Sequence, residues 1–438
     1  MHTQSDGGVV SYQSVGDEFL NFMIDINGEL LAFGKDGDLY YADWVSEEDF
    51  LEIISSYNEL GSNFSKEISG FLILTDRKLI GEKTNPSPPD ERDMHPLKTP
   101  IPDYLLEYTG KLMEERDSAW TDRRSFKGSS QSLTQYSTSD PTSVERNLVV
   151  IYVRFEDESN IPELQDKALS NADIYDLVFN DARQGSVAHY YKTVTGGGIK
   201  FVPAKETYDA EDDGIIRITV PGSHKDWGSN YANFRTDVVK PAFTRAAQYI
   251  NYKDFTNGTV INNGEELSIM FVIHGYESSN SGKPGVWGHA HFGDNLGSFN
   301  GVMIRAYCAF GAFQSKGANP QPFTTGIVVH ELGHHSFGFL DFYNTNDNMT
   351  RGITGYWSVM GLGSWGAAQN EPGGTMPTGL DAYHLSTLFP PTATVSSANI
   401  TAAQQFSLTG SSQFIKLETS SVGQYFLLQP RGNVGYDR

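Results

Sequence analysis

Polar and apolar positions change their rhythm several times along the chain. Residues 17–28 partly alternate and close on Asn27-Gly28, a strong two-residue hairpin signal. The runs 30–33 and 39–42 follow, separated by Lys35-Asp36-Gly37-Asp38, and together these predict a small β-meander. Much later, residues 147–155 and 267–274 are almost unbroken apolar runs, the pattern of strands buried on both faces. Between them, residues 174–180 and 186–191 read as helices. Thr195-Gly196-Gly197-Gly198 then turns the chain into a strand at 199–203, and residues 236–250 read as one long helix. Residues 356–361 predict a strand entering a tight turn, and residues 377–384 open another helix. Short alternating runs at 405–408, 414–417 and 425–428 predict β-hairpins.

Composition changes this picture between residues 83 and 145. Residues 83–90 are proline-rich and residues 129–143 are dominated by Ser, Thr and Gln, too polar to bury a core of their own. One helix is expected between them, over 101–116. The expected division is a β-rich unit at 1–82, a protease-accessible linker at 83–145, a main domain at 146–395 and the start of a β region at 396–438. The chain carries 54 acidic against 32 basic residues, a formal net charge of −22, which argues against nucleic acid or anionic lipid as partners. No apolar run reaches the length of a membrane span. The single cysteine, Cys308, excludes an intramolecular disulfide and sits in an apolar run, so a buried small residue is expected.

The chemistry concentrates in residues 324–341. An apolar lead-in, Ile327-Val328-Val329, precedes His330-Glu331-Leu332-Gly333-His334, and Gly338 is a natural helix stop. On a helix, His330 and His334 project from one face a turn apart and can hold one Zn²⁺, with Glu331 beside it to take a proton from water. The competing reading is a core helix whose histidines are satisfied by hydrogen bonds; Gly333, which would let another backbone pass close, and the apolar lead-in weigh against it. A catalytic zinc needs a third protein ligand. Asp341 is the nearest carboxylate beyond the turn.

His330 to His334 with Gly338 and Asp341, followed by Trp357-Ser358-Val359-Met360-Gly361, resembles the immune inhibitor A-like metallopeptidases, the M6 family of metzincin-type enzymes. In that family the glycine and aspartate follow the second histidine three and six residues on. Here each comes one position later, and His335 is one candidate for the extra residue. The series His274, Glu277, Trp287 and His289 also resembles the family, with cleft-lining, second-metal and purely structural roles all open for it. So do the paired tyrosines before the 195–198 turn and the helix opening at 377–384. Residues 1–82 look like a family prosegment, the alternative being an unrelated binding module.

The resemblance implies an α+β fold: a zincin catalytic domain with a mixed twisted sheet, a zinc-binding helix and a Met turn, whose Met360 forms an apolar floor under the metal. It implies zinc on His330, His334 and Asp341, Glu331 as general base, and structural calcium. Candidate calcium loops lie at Asp209, Glu211, Asp212 and Asp213, and at 341–348; a solvated acidic turn is the alternative reading of both. Tyr343 or Tyr356 is a candidate donor to the transition state, His289 a candidate substrate contact, and His95 a candidate cap on a latent metal. The implied protein is a secreted zinc endopeptidase, a monomer acting on proteins or peptides and made as a zymogen. No basic segment with an apolar core opens the chain, so an export signal is expected to have been removed or to lie outside this sequence. The family's chains run on past a point equivalent to Arg438, so a longer protein is expected. The rival functions are a zinc hydrolase of a non-peptide amide and a metal-binding surface protein with a decayed site.

Overall fold

The computed structural model describes residues 2–16, 21–34, 36, 38–56, 68–69, 72–81, 97–108, 111, 144–209, 212–228, 230–281, 284–314, 320–342, 354–367, 371–396, 406–408, 410–421, 424–432 and 435–437. They form two compact units, one built chiefly from residues 1–115 and the other chiefly from residues 116–438.

The first unit is an antiparallel sheet. Strands Gln13–Gly16, Asn21–Ile24, Leu30–Phe33 and Leu39–Trp44 follow one another as a meander, and Gly28 takes a left-handed φ of 77° at the predicted hairpin. The sheet continues beyond the predicted meander, because Leu72–Lys78 pairs antiparallel with Leu39–Trp44. Its apolar face, with Phe22, Ile24, Leu30, Ala32, Ala42 and Leu72, closes on Leu97. Of the helix predicted over 101–116, residues 103–108 and 111 are helical; the rest of that span's end, and most of the linker, lies outside the described residues.

The second unit is a mixed α/β layer structure. Its longer strands are β1 (Val144–Asp157), β2 (Ile199–Pro203), β3 (Ile215–Ser223), β4 (Ser268–Glu277), β5 (His289–Phe299) and β6 (Val302–Phe313). β2 and β3 pair in succession along one side of β1, and β4 lies on its other side with β6 beyond; all of these pairs are parallel. β5 runs antiparallel to β6. The reversal comes at Asn300-Gly301, both at positive φ, a two-residue hairpin turn that the sequence carried openly and that the reading above overlooked. β4 is buried at every position, as its unbroken apolar run predicts.

Two apolar layers sandwich the sheet. On one face Leu148, Val150, Tyr152, Met270 and Val272 pack against α1 (Asn171–Val178), α2 (Val187–Val194), α4 (Thr325–Phe337) and α5 (Ala382–Leu388). On the other, Val149, Ile151, Val153, Ile269 and Phe271 pack against residues 234–246, which include α3 (Lys240–Ala246). Alternate residues of one strand thus serve opposite layers.

Two expectations need correction. The helix predicted over 236–250 begins earlier, ends earlier and changes pitch: Tyr231–Phe234 is α-helical, Arg235–Val239 is a π-turn, and α3 ends at Ala246. Pro241 has no N–H to give and its ring crowds the preceding turn, so the backbone widens and Lys240 N–H reaches Arg235 O. The strand predicted over 356–361 is instead a 3₁₀ turn, Gly355–Trp357, running into irregular chain. Towards the C-terminus, Ala393–Ser396, Ile415–Glu418 and Tyr425–Leu428 form a three-stranded sheet. Two of the three predicted runs are strands there, and residues 406–408 are not.

Candidate metal centre

All thirteen residues of α4 are buried, so this helix has no solvent face. Its start is held by backbone packing. Gly326 donates to Gly374 O at 2.8 Å, and a Cβ there would run into the Ser364 carbonyl oxygen. The close backbone approach expected at Gly333 therefore occurs at Gly326. Gly333 instead faces side chains, with Met360 Sδ 2.9 Å from where a Cβ would stand. On the sheet side, the Ile269 N–H donates to His335 Nε2 at 2.9 Å, and the hydroxyls of Ser268 and Ser336 meet at 2.8 Å. Gly338 ends the helix at φ 64°, ψ 37°; its N–H returns to His334 O and that of Phe339 to Gly333 O.

That turn brings Asp341 back over the helix. Its Oδ1 lies 3.2 Å from His330 Nε2 and 3.0 Å from His334 Nε2, and the two Nε2 atoms are 3.2 Å apart. The longer spacing after His334 does not carry the carboxylate out of reach. Among the described residues this is the one group where three such ligand atoms come within 4.8 Å of one another. Each Nδ1 faces a backbone carbonyl, Val359 O at 2.9 Å for His330 and Phe339 O at 2.6 Å for His334. A carbonyl only accepts, so each Nδ1 carries a hydrogen, and the Nε2 atoms are the ones turned to the shared centre.

The electrostatics agree with that geometry. Burial works against a charged His330, but the hydrogen bond to Asp341 and the nearby Glu331 carboxylate outweigh it, and its pKa is raised to about 9. A pocket that draws a proton onto a buried imidazole is one that stabilises positive charge. Two imidazole nitrogens and a carboxylate oxygen are also a donor set that divalent transition metals accept. The residues present fit a metal ion.

The remaining candidates fall in different places. Met360 is fully buried beneath Gly333. Tyr356 is 46 % exposed, its carbonyl accepting from Thr378 Oγ1. Tyr343, Glu211, His95 and the rest of the 341–348 loop beyond Phe342 lie outside the described residues. His289 is buried, with Nδ1 on Trp287 O, Nε2 on Tyr307 Oη and its ring against Tyr231, which places it inside the second apolar layer. His274 is also buried, between Tyr152 Oη and Leu164 O. Glu277 accepts from the N–H groups of Ser279, Gly288 and Gly311, and Trp287 is half-buried. Asp213 is occupied by Ile215 N–H and Asn171, while Asp209 and Asp212 sit at positive φ. Cys308 is buried on β6.

Around the centre the structure adds residues to which the sequence reading gave no role. Asp381 caps α5, accepting from the N–H groups of Tyr383 and His384 through Oδ1. Its Oδ2 takes the Ser358 hydroxyl and meets His384 Nδ1, both at 2.6 Å. The cap was legible as an Asp at a helix start; its distant partners had no local signal.

A buried helix with a three-donor centre beside an α/β sheet defines the class as a metal-dependent peptidase once compared with known families. Residues 269–387 match the family model described as immune inhibitor A peptidase M6, catalytic domain, a span that includes β4 to β6, α4 and most of α5. The match supports the resemblance read from the sequence: over residues 269–387 the chain is similar to the M6 family metallopeptidases. A search of curated proteins gives no match.

Proposed function

We propose that this metallopeptidase is a zinc-dependent endopeptidase of the metzincin type, secreted, and made with residues 1–82 as a removable prosegment. The observation that carries the reading is the convergence of His330 Nε2, His334 Nε2 and Asp341 Oδ1 on one point. Zinc held by those three atoms would polarise the scissile carbonyl and acidify water. Glu331, next to His330 on the same buried turn, is the general base: its carboxylate takes the proton from the attacking water and returns it to the departing amine. Met360 is the packed floor, filling the space that Gly333 leaves open. Tyr356, exposed close to that floor in sequence, is available to a bound peptide. The separate antiparallel sheet of residues 1–115, joined through a Ser/Thr/Pro-rich stretch, supports a unit that proteolysis can remove. Calcium is assigned a structural role only, and the working form is taken as a monomer acting on protein or peptide substrates.

The test is casein hydrolysis before and after a limited trypsin nick, with metal content measured on the same sample. Activity that appears on nicking and falls at least about a hundredfold in Glu331→Ala establishes a latent metalloprotease with that base. Stoichiometric zinc with no hydrolysis in either state would leave a narrower hydrolase or a binding protein.

A further inference from the structure

We infer that His384, locked to Asp381, is the positioning residue that holds the Asp341 segment and the Met360 segment in register around the centre. This rests on the metal reading of His330, His334 and Asp341 given above. His384 is fully buried, and its Nε2 donates to Leu340 O at 3.0 Å. Leu340 immediately precedes Asp341. The imidazole also lies against the rings of Phe339 and Phe342, with centroid separations of 4.8 and 4.5 Å. One side chain therefore grips the chain on both sides of the carboxylate ligand.

The other ring nitrogen leads to the second segment. A proton lies between Nδ1 and Asp381 Oδ2, and the same oxygen accepts the Ser358 hydroxyl. Ser358 Oγ in turn accepts the Met360 N–H at 3.1 Å, and Met360 O accepts the Phe342 N–H at 2.6 Å. Those two segments carry the carbonyls that orient the histidines, Val359 O for His330 and Phe339 O for His334. All three donors thus depend for their aim on backbone that the Asp381–His384 pair ties together. The pair is anchored from behind, since Arg431 and Gln429 both donate to Leu380 O, the residue before Asp381. The pair's hydrogen bonds run to Ser358, Leu340 O and the N–H groups of α5, none of them one of the three donors, so its action on the reaction is through the ligands. Groups supporting metal ligands in this way typically change affinity by about 10–100-fold when removed.

The test measures zinc affinity by chelator competition and the visible spectrum of the Co²⁺-substituted protein, for wild type, His384→Phe, His384→Gln and Ser358→Ala. Phe keeps the ring between Phe339 and Phe342 and deletes both hydrogen bonds; Gln keeps a donor for Leu340 O. The expected result is a 10–100-fold loss of zinc affinity and an altered Co²⁺ spectrum in His384→Phe, with part of the affinity recovered in His384→Gln. Ser358→Ala, which loses only one hydroxyl, is expected to weaken zinc several-fold and carries the test if the Phe variant does not fold. Wild-type zinc affinity and spectrum in the folded variants would overturn the inference while leaving the metal site intact. A wild-type protein that binds no zinc would overturn both.

Discussion

Adding a methyl group at Gly326 or at Gly333 probes the helix from two directions. At Gly326 the obstacle is the Ser364 backbone carbonyl, which cannot swing aside. At Gly333 it is the thioether end of Met360, which can, at the expense of the floor it forms. Gly333→Ala is therefore expected to cost about 1–3 kcal/mol and Gly326→Ala clearly more, as read from urea midpoints at constant m. Equal losses at the two positions would sink this reading of the packing. At this scale the sequence was informative where chemistry sits close along the chain. His330, Glu331 and His334 share one helical turn, so spacing alone proposes their joint use. Asp341 stood out only as the nearest carboxylate past the turn, and its aim was not legible, because a one-residue shift past a left-handed glycine could have sent it anywhere. Asp381 and His384 were beyond reach, for their contacts to Ser358 and Leu340 arise only from tertiary packing.

Elements meet at Glu277. Its carboxylate at the end of β4 receives the amides of Gly288, which leads into β5, and of Gly311 on β6, together with the Ser279 N–H and hydroxyl. Three strand ends are thereby fastened to one buried group. Glu277→Ala would strand those amides without a partner, at about 1–3 kcal/mol for each donor left buried. Chemical denaturation should show a loss of at least about 3 kcal/mol; a loss under 1 kcal/mol would mean that the amides find other acceptors. Element types were legible where a run was uniformly apolar, as in β1 and β4, because both of their faces are covered. They were misread where a single residue overrides the pattern. Pro241 widens the helix at Arg235–Val239, and the 355–361 stretch has the composition of a strand but pairs with no strand among the described residues.

Over the whole molecule, three buried imidazoles add to the response to acid. Burial drives the pKa of His224 and of His289 down to about 3 and that of His274 to about 4. Among the described residues, neither ring nitrogen of His224 has a hydrogen-bond partner. In the unfolded chain each would titrate near about 6.5. Below that pH the unfolded state binds the extra protons, so stability that is complete at neutral pH is lost as the pH falls toward 3–4, by up to about 1.4 kcal/mol per pH unit for each group. Denaturant unfolding at pH 7 and pH 5 should show this loss, and His224→Phe should reduce it; an unchanged slope in that variant would exclude His224 as a source. The order of the strands was not legible in the sequence, since parallel partners lie far apart along the chain. That distance has a consequence for synthesis. β1 cannot meet β4 until Ser268, the partner of Leu148, has been made, so a growing chain carries one flank of a strand with a long apolar middle uncovered. The three candidate ligands are made later still, and the helix bearing His384 after them. A nascent chain is thus most prone to stick to its neighbours during the very interval in which it has no means of cutting them.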